Sequence, residues 1–401
     1  MNEGAPRPPA SPGGRLVAVL AIASGVGVAN IYYVQPLLPK IAAAFGTTPA
    51  AVGYVPMLTQ LGFAAGLLLF IPLGDVVDRK RLILALVAGA AAALLAVTAA
   101  QGLVWLAAAS FAVGLTSVVP HVAVPLAAHL AAPSDRGRVI GFVLSGILVG
   151  ILLARTVAGF LGEALGWRAV FAIAAAGTVS LGAVLVRALP HSPPPASIPY
   201  RALMASVVSL ASAHRELREA ALIAAAGFAA FSAIWATLAF FLAGPPHFHG
   251  SDVAGLFGLL GALGALAAPV VGRIADRYGA RAGVGLAFAI ELVSFGVFAA
   301  TGSRIWGLAL GVALLDVGWQ SGHVSNLARI HTLDPEARSR LTTVYMGALF
   351  SGGALGTWVG AHAWAAAGWT GVSVSGAAFS AIALLAWARG WARERAAPPD
   401  A

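Results

Sequence analysis

Cysteine does not occur in this chain of 401 residues. A disulfide, a thiolate zinc site and a thiol nucleophile are therefore all excluded. Charge is nearly as scarce: 10% of residues are Asp, Glu, Lys or Arg, against 59% that are hydrophobic. A water-soluble domain carries roughly 25% charged residues, so the solvent of this surface is largely lipid. Acids are rarest, 15 against 24 bases, and only Glu291 and Asp316 lie well inside hydrophobic segments. There is no Ser/His/Asp set at one depth, no glycine-rich phosphate loop and no cluster with metal-ligand spacing. No catalytic residues, cofactor or metal are expected.

What the chain has in quantity is uninterrupted apolar sequence, with a mean hydropathy of +0.88. A hydrocarbon core of roughly 30 Å takes about 20 apolar residues in a helix. Twelve such spans are predicted, at 16–39, 51–74, 82–101, 104–131, 139–162, 167–189, 219–243, 252–272, 282–301, 304–331, 341–366 and 369–391. The 48 glycines and 23 prolines would suggest disorder in water. Between packed helices in lipid, small residues permit close approach and neighbouring helices repair proline kinks.

The basic excess reads as topology. With the N-terminus in the cytoplasm, 20 of the 24 Lys and Arg residues fall on the cytoplasmic side. Lys40, Arg168 and Arg304 fall opposite, and Arg155 lies inside the fifth span. This asymmetry puts both termini in the cytoplasm of a multi-pass protein of the inner or plasma membrane. No basic stripe tracks phosphates, so the net charge of +9 does not imply a nucleic-acid partner. The first apolar run is too long for a signal-peptide core and reads as a retained span.

The chain also repeats itself. Asp75 aligns with Asp276 and Trp105 with Trp306 at an offset of 201; Arg136 and Arg138 align with Arg338 and Arg340, and Gly166-Trp167 with Gly368-Trp369, at 202. This implies a tail at 1–15, a six-helix bundle at 16–189, a linker at 190–218, a second six-helix bundle at 219–391 and a tail at 392–401. An even number of spans per half makes the repeat parallel. The linker starts proline-rich and turns amphipathic, with Leu203, Val207 and Leu210 on one face, as in a helix lying along the membrane surface.

Twelve spans as six plus six, with an Asp-Arg loop after the second and eighth, resemble the major facilitator superfamily. Its signature for that loop is G-x-x-x-D-R-x-G-R-[KR]. The second copy fits well, with Gly272, Asp276, Arg277, Gly279 and Arg281. The first keeps Asp75, Arg79 and Lys80 but has Ile71 and Asp78 where glycines belong. The resemblance implies an all-α membrane fold of two pseudo-symmetric bundles, with these loops latching the cytoplasmic face. The fifth span has the frame Gly141, Gly150, Ala154-Arg155, Gly159. It is similar to the G-x8-G-x3-G-P-x-x-G helix of the family's antiporters, with Ala-Arg in place of Gly-Pro. That points to the drug and sugar efflux branch.

In the fifth span Gly146, Gly150, Ala154, Ala158 and Gly162 recur at four-residue spacing and form a flat ridge for a partner helix. Arg155 sits beside it. A charge at the bilayer centre costs from about 2.5 to well over 10 kcal/mol depending on method, so Arg155 should face a water-filled cavity or a buried acid. The resemblance places the first, fourth, seventh and tenth helices around that cavity and so favours Asp316 as its partner. Glu291 reads as a satisfied acid of a peripheral helix. Asp316, Gln320 and His323 share a face, with Asn326 near its edge. His121 precedes His323 by the repeat offset of 202, and imidazole titrates near physiological pH. Asn30 and Tyr33 share a face of the first span, and Trp235 ends an aromatic stripe with Phe228 and Phe231. The family's usual basic residue before Gly114 and first-helix acid are missing.

The expected function is secondary transport by alternating access: a monomer exporting a small drug, sugar or metabolite against inward proton flow. An uptake symporter and a transport-inactive membrane sensor are the alternatives.

Overall fold

A computed structural model describes residues 13–193, 199–264, 266–267, 273, 277, 279–334 and 337–396. All regular structure among them is helical. The first half contains α1 (Gly14–Ala29), α2 (Pro49–Val76), α3 (Arg79–Thr98), α4 (Leu103–Leu130), α5 (Arg136–Leu165) and α6 (Trp167–Ala188). The amphipathic α7 (Tyr200–Ala213) follows, with Leu203 and Val207 buried and Leu210 packed against the core. The second half contains α8 (Arg215–Ala243), α9 (Ser251–Gly264), α10 (Ala280–Thr301), α11 (Ile305–Ile330) and α12 (Arg338–Ala396). Among the described residues, eight helices are long and apolar enough to cross a membrane: α2 to α6, α8, α10 and α12.

Three expected spans differ in detail. The first ends as a regular helix at Ala29 and continues through turns, a 3-10 turn at Gln35–Leu37 and a short helix at Leu38–Ala44. Pro36 and Pro39 cannot donate backbone hydrogen bonds there, so the helical ladder is interrupted. The eleventh and twelfth spans form one helical run that breaks at Ala367 and Gly368 and extends to Ala396, into the expected tail. The sequence ARERA is rich in good helix formers.

The repeated Gly-Trp pairs mark equivalent joints. Gly166 (φ +83°) lies between α5 and α6, and Gly368 (φ +57°) breaks α12. Only glycine adopts such angles without strain. The small-residue ridge packs on α1: a Cβ on Gly25 would lie 2.6 Å from the carbonyl oxygen of Gly146. Backbones in contact are the geometry that small residues permit in lipid. Large side chains on the outer surface, such as Val104 and Val179, remain exposed for lipid.

Two ends of the bundle matter below. The linker face holds the α2–α3 loop, residues 190–193, the starts of α8 and α10 and the end of α12. The far face holds the ends of α5 and α8 and the start of α9.

Candidate functional site

A cavity of about 170 Å³ lies between the halves. From the first half it is lined by Tyr32, Phe63, His121 and Arg155, and from the second by Phe228, Phe231, Asp316, Trp319, Gln320 and His323. A second, larger groove of about 550 Å³ runs between α1 and α5. Its lining is almost wholly apolar, with Tyr33 and Ser145 the exceptions, and suits lipid rather than a polar ligand.

Arg155 is 2% exposed. Its Nε donates to Oε1 of Gln35 at 2.6 Å. Its guanidinium carbon lies 4.0 Å from the ring centroid of Trp235 and 4.4 Å from that of Tyr32. Two aromatic faces thus take the place of a carboxylate around a desolvated cation. Nη2 of Arg155 is buried and has no protein hydrogen-bond partner, and the same holds for Oδ2 of Asp316. The expected Arg155–Asp316 contact is therefore not formed in this structure, although both residues line one cavity. Gln35 and the two rings already occupy the other positions around the guanidinium.

The backbone of α9 reaches these groups through glycines. A Cβ on Gly258 would lie 2.8 Å from Cβ of Arg155, and one on Gly261 would lie 3.2 Å from Oδ1 of Asp316. Gly255, Gly258, Gly261 and Gly264 are three residues apart, and the helix tightens to a 3-10 turn at Phe257–Leu260. Residues three apart eclipse in a 3-10 helix. This local winding turns four glycines toward α5 and α11 together.

The remaining candidates divide. His121 packs edge-on against Phe63, with ring centroids 5.7 Å apart, and its Nδ1 is buried without a partner. Nδ1 of His323 lies 3.1 Å from the hydroxyl of Tyr345, and its ring stacks on Trp319. Trp235 covers Arg155. Tyr33, however, lines the lipid-side groove, and Asn30 is buried outside the cavity lining. The unwinding after Ala29 breaks the 3.6-residue register, so Tyr32 and Gln35 turn inward instead. Asn326 also lies outside the cavity: its Nδ2 donates to the carbonyl of Ala220 at 2.8 Å, and its Oδ1 accepts from Arg329. It ties α11 to α8. Glu291, expected to be satisfied, is fully buried with both carboxyl oxygens lacking a hydrogen-bond partner.

The loop charges whose partners are described bond inside their own half or to the adjoining linker. Arg79 pairs with Asp75 at 3.3 Å and donates to Gly74, and Lys80 donates to the carbonyl of Leu189 at 2.6 Å. Asp78, at a glycine position of the motif, caps α3 by accepting from the backbone N–H of Arg81 at 2.8 Å. It also accepts from the N–H of Ser192 at 2.9 Å and meets His191. Burial pushes this carboxyl up, but the bonds from Arg81 and Ser192 outweigh it and hold it below the usual carboxylate range. The equivalent Gly279 uses φ +89° instead. Arg281 pairs with Glu219 and Glu394, and Arg329 shares Glu219. Arg277 is exposed; Gly272 and Asp276 lie outside the described residues.

A cross-half contact absent from the sequence expectations closes the far face. Oε2 of Glu163 on α5 accepts from the backbone N–H and hydroxyl of Ser251, at 3.0 and 2.8 Å, at the start of α9. Lys40 lies 3.2 Å from the same oxygen. Nearby, Gln60 donates to Thr357 at 2.8 Å, and Tyr54 meets Trp358 and His362. The one sequence signal for this contact is a serine opening a helix after "PPHFHG".

Helices alone among the described regular elements, with a lined cavity between two halves, are the architecture of membrane transporters, and the relatives of the chain make it one. The chain belongs to the major facilitator superfamily: the sequence pattern described as Major Facilitator Superfamily matches residues 20–330. It is 40% identical over 382 residues to "Uncharacterized transporter YgaY" of Escherichia coli O157:H7, covering 95% of this chain and 97% of that protein. It is 36% identical over 361 residues to "Probable transporter SCO4007" of Streptomyces coelicolor, covering 90% and 84%. Among solved structures it is similar to a bacterial homologue of the human lysosomal transporter Spinster in an inward-facing, occupied conformation. The TM-score is 0.77 at 16% identity, over 96% of this chain and 97% of that one.

Proposed function

We propose that this chain is a proton-coupled exporter of a small amphipathic organic molecule, working by alternating access as a monomer. Residues 16–189 and 219–391 are the two moving units, and 190–218 joins them. The linker face is cytoplasmic, on the strength of the Lys and Arg asymmetry in the sequence. One observation carries the reading. Arg155 and Asp316 line the same cavity from opposite halves, and each keeps a buried polar atom without a protein partner.

A buried unpaired polar atom costs about 1–3 kcal/mol, more for a charged group. That cost is retained for function when a substrate group or a proton meets the atom during the cycle. Phe228, Phe231, Trp319 and Phe350 offer aromatic surface for the apolar part of the substrate. Gln320, His121 and His323 supply polar contacts and groups able to exchange protons. The family resemblance of the fifth span favours export.

The test is flux in proteoliposomes under an imposed pH gradient, with candidate drugs, sugars and metabolites. Substrate moving opposite to protons supports the proposal. Substrate moving with protons makes the chain an uptake symporter. Binding without flux by folded protein makes it a sensor.

A further inference from the structure

On the linker face, a groove of about 420 Å³ opens between the start of α8 and the end of α12. On α8, Arg215, Arg218 and Leu222 line it; on α12, Ile382, Leu385, Arg389 and Arg393 do. Each helix presents the same order, aliphatic residues toward the membrane interior and arginines toward its end. Leu222, Ile382 and Leu385 are 52%, 44% and 57% exposed, so the wall of the groove is bare hydrocarbon.

The charge in the groove is uncompensated. Glu219 is the one acid among its described lining residues, and its Oε1 already accepts from Arg281 at 2.6 Å and Arg329 at 3.2 Å. Arg218 donates to the carbonyls of Ala211 and Ser212. Arg215, Arg389 and Arg393 make no hydrogen bond or ion pair with the described residues. Topology alone asks only for positive charge near the membrane. It does not ask for arginines from two helices to converge above an exposed aliphatic wall.

We infer that this groove binds one anionic phospholipid of the surrounding leaflet. Its phosphate sits among Arg215, Arg389 and Arg393, and an acyl chain lies along Leu222, Ile382 and Leu385. Charge complementarity selects the occupant. Guanidinium groups offer paired donors that match phosphate oxygens. Basic pockets between transmembrane helices on the cytoplasmic side suit anionic headgroups. The aliphatic wall requires a chain attached to that headgroup, which a free phosphate lacks. The lipid would bridge α8 and α12 beside the Arg281–Glu219–Arg329 network.

The test compares wild type with the double variant Arg389→Gln/Arg393→Gln. Both side chains are exposed, and unfolding in phosphatidylcholine nanodiscs reports whether the fold survives. A second double variant, Arg136→Gln/Arg138→Gln, removes the same charge elsewhere on the same face. Phosphatidylglycerol, phosphatidylcholine and sn-glycerol 3-phosphate are titrated separately, and bound lipid is counted by native mass spectrometry.

Each arginine near an anionic surface is worth about a factor of five in affinity, so the groove variant should bind phosphatidylglycerol about 30-fold more weakly. The control variant and all binding of phosphatidylcholine should be unchanged. An equal loss in both variants would overturn the site in favour of diffuse surface charge. Glycerol phosphate binding as tightly as the whole lipid would overturn the lipid in favour of a soluble phosphate. Unchanged lipid binding in the groove variant would remove the arginines from it altogether.

Discussion

On the far face, Glu163 of the first half holds the start of α9 in the second, with Lys40 on the same oxygen. On the linker face, Asp75, Asp78, Arg79, Lys80, Arg281 and Arg329 all bond within the half or linker segment to which they are nearest. One end thus spends polar contacts on joining the halves, and the other spends them on shaping each half separately. A latch is identified by where its partners lie, and conformity to a motif does not supply that. Asp75, Arg79, Lys80 and Arg281 of the two motif copies are engaged locally here, while a glutamate outside any motif crosses the divide. In an alternating mechanism the roles of the two faces exchange, so each face is informative about the other's missing state.

The largest effect is expected at the pivot between the faces. Arg155→Leu should reduce transport at least about 100-fold, equivalent to about 3 kcal/mol, by removing a buried hydrogen-bonded charge. Arg155→Lys should fail similarly, because an ammonium cannot both bond Gln35 and lie flat between Tyr32 and Trp235. Flux in proteoliposomes measures this, with thermal unfolding as the check on folding. Near-normal transport by the Lys variant would show that charge alone suffices. The double variant Arg155→Leu/Asp316→Leu sharpens the point. No hydrogen bond or ion pair joins the two groups in this state, but they face one cavity and attract each other, so the double variant should show a small coupling rather than full rescue. Strong rescue in the double variant would mean that they meet in the state populated in detergent.

Next comes a wedge in the far face. A Cβ on Gly255 would lie 2.6 Å from the carbonyl oxygen of Arg155, which is backbone and cannot rotate away. Gly255→Val should cost about 1–3 kcal/mol of far-face closure through overpacking and favour the opposite conformation. The cysteine-free chain makes the assay direct: a cysteine introduced at Thr357 should become several-fold more reactive to a water-soluble maleimide. Unaltered labelling would place the seam elsewhere.

Glu163→Gln should act in the same direction but more weakly. Its side chain is 43% exposed, so the loss is expected to be about 1 kcal/mol, below the usual value for buried hydrogen bonds to charged groups. The same maleimide assay reads it. If Glu163→Gln left labelling unchanged while Asp75→Asn raised it, the comparison between faces would be reversed.

The smallest effect is the acid response of the linker face. Asp78 has its folded pKa lowered, so its contribution is present above the unfolded carboxylate value, about 3.9, and is lost as pH falls through the lower folded value. Stability should therefore gain nothing from Asp78 titration between about pH 5 and 8 and decline below about pH 4. Asp78→Asn should flatten that acid limb. A wild-type-like limb in the variant would assign it to other carboxylates.

Much of the architecture was legible along the chain because lipid imposes it residue by residue. Apolar runs, arginine asymmetry and small residues at four-residue spacing respond to the bilayer and to the nearest helix. The Gly-Trp joints were visible for a similarly local reason, since a left-handed turn needs glycine wherever it occurs. The cavity was legible in part. Arg155, Asp316, His121 and His323 stand out as polar residues in apolar surroundings. Tyr33, Asn30 and Asn326 lie outside the lining of this cavity, because their positions depend on helix register and on which neighbour offers a free carbonyl.

Composition and spacing therefore determined that this protein crosses a membrane as a duplicated helical bundle with a guanidinium in its interior. Only the tertiary structure decided what that guanidinium touches. The unwinding before Pro36 rotates Tyr32 and Gln35 toward it, and the tightened turn at Phe257–Leu260 brings glycine backbone against it. Both are departures from ideal helical winding a few residues long. No uniform periodicity encodes them, because the energy that favours them comes from groups distant in the chain.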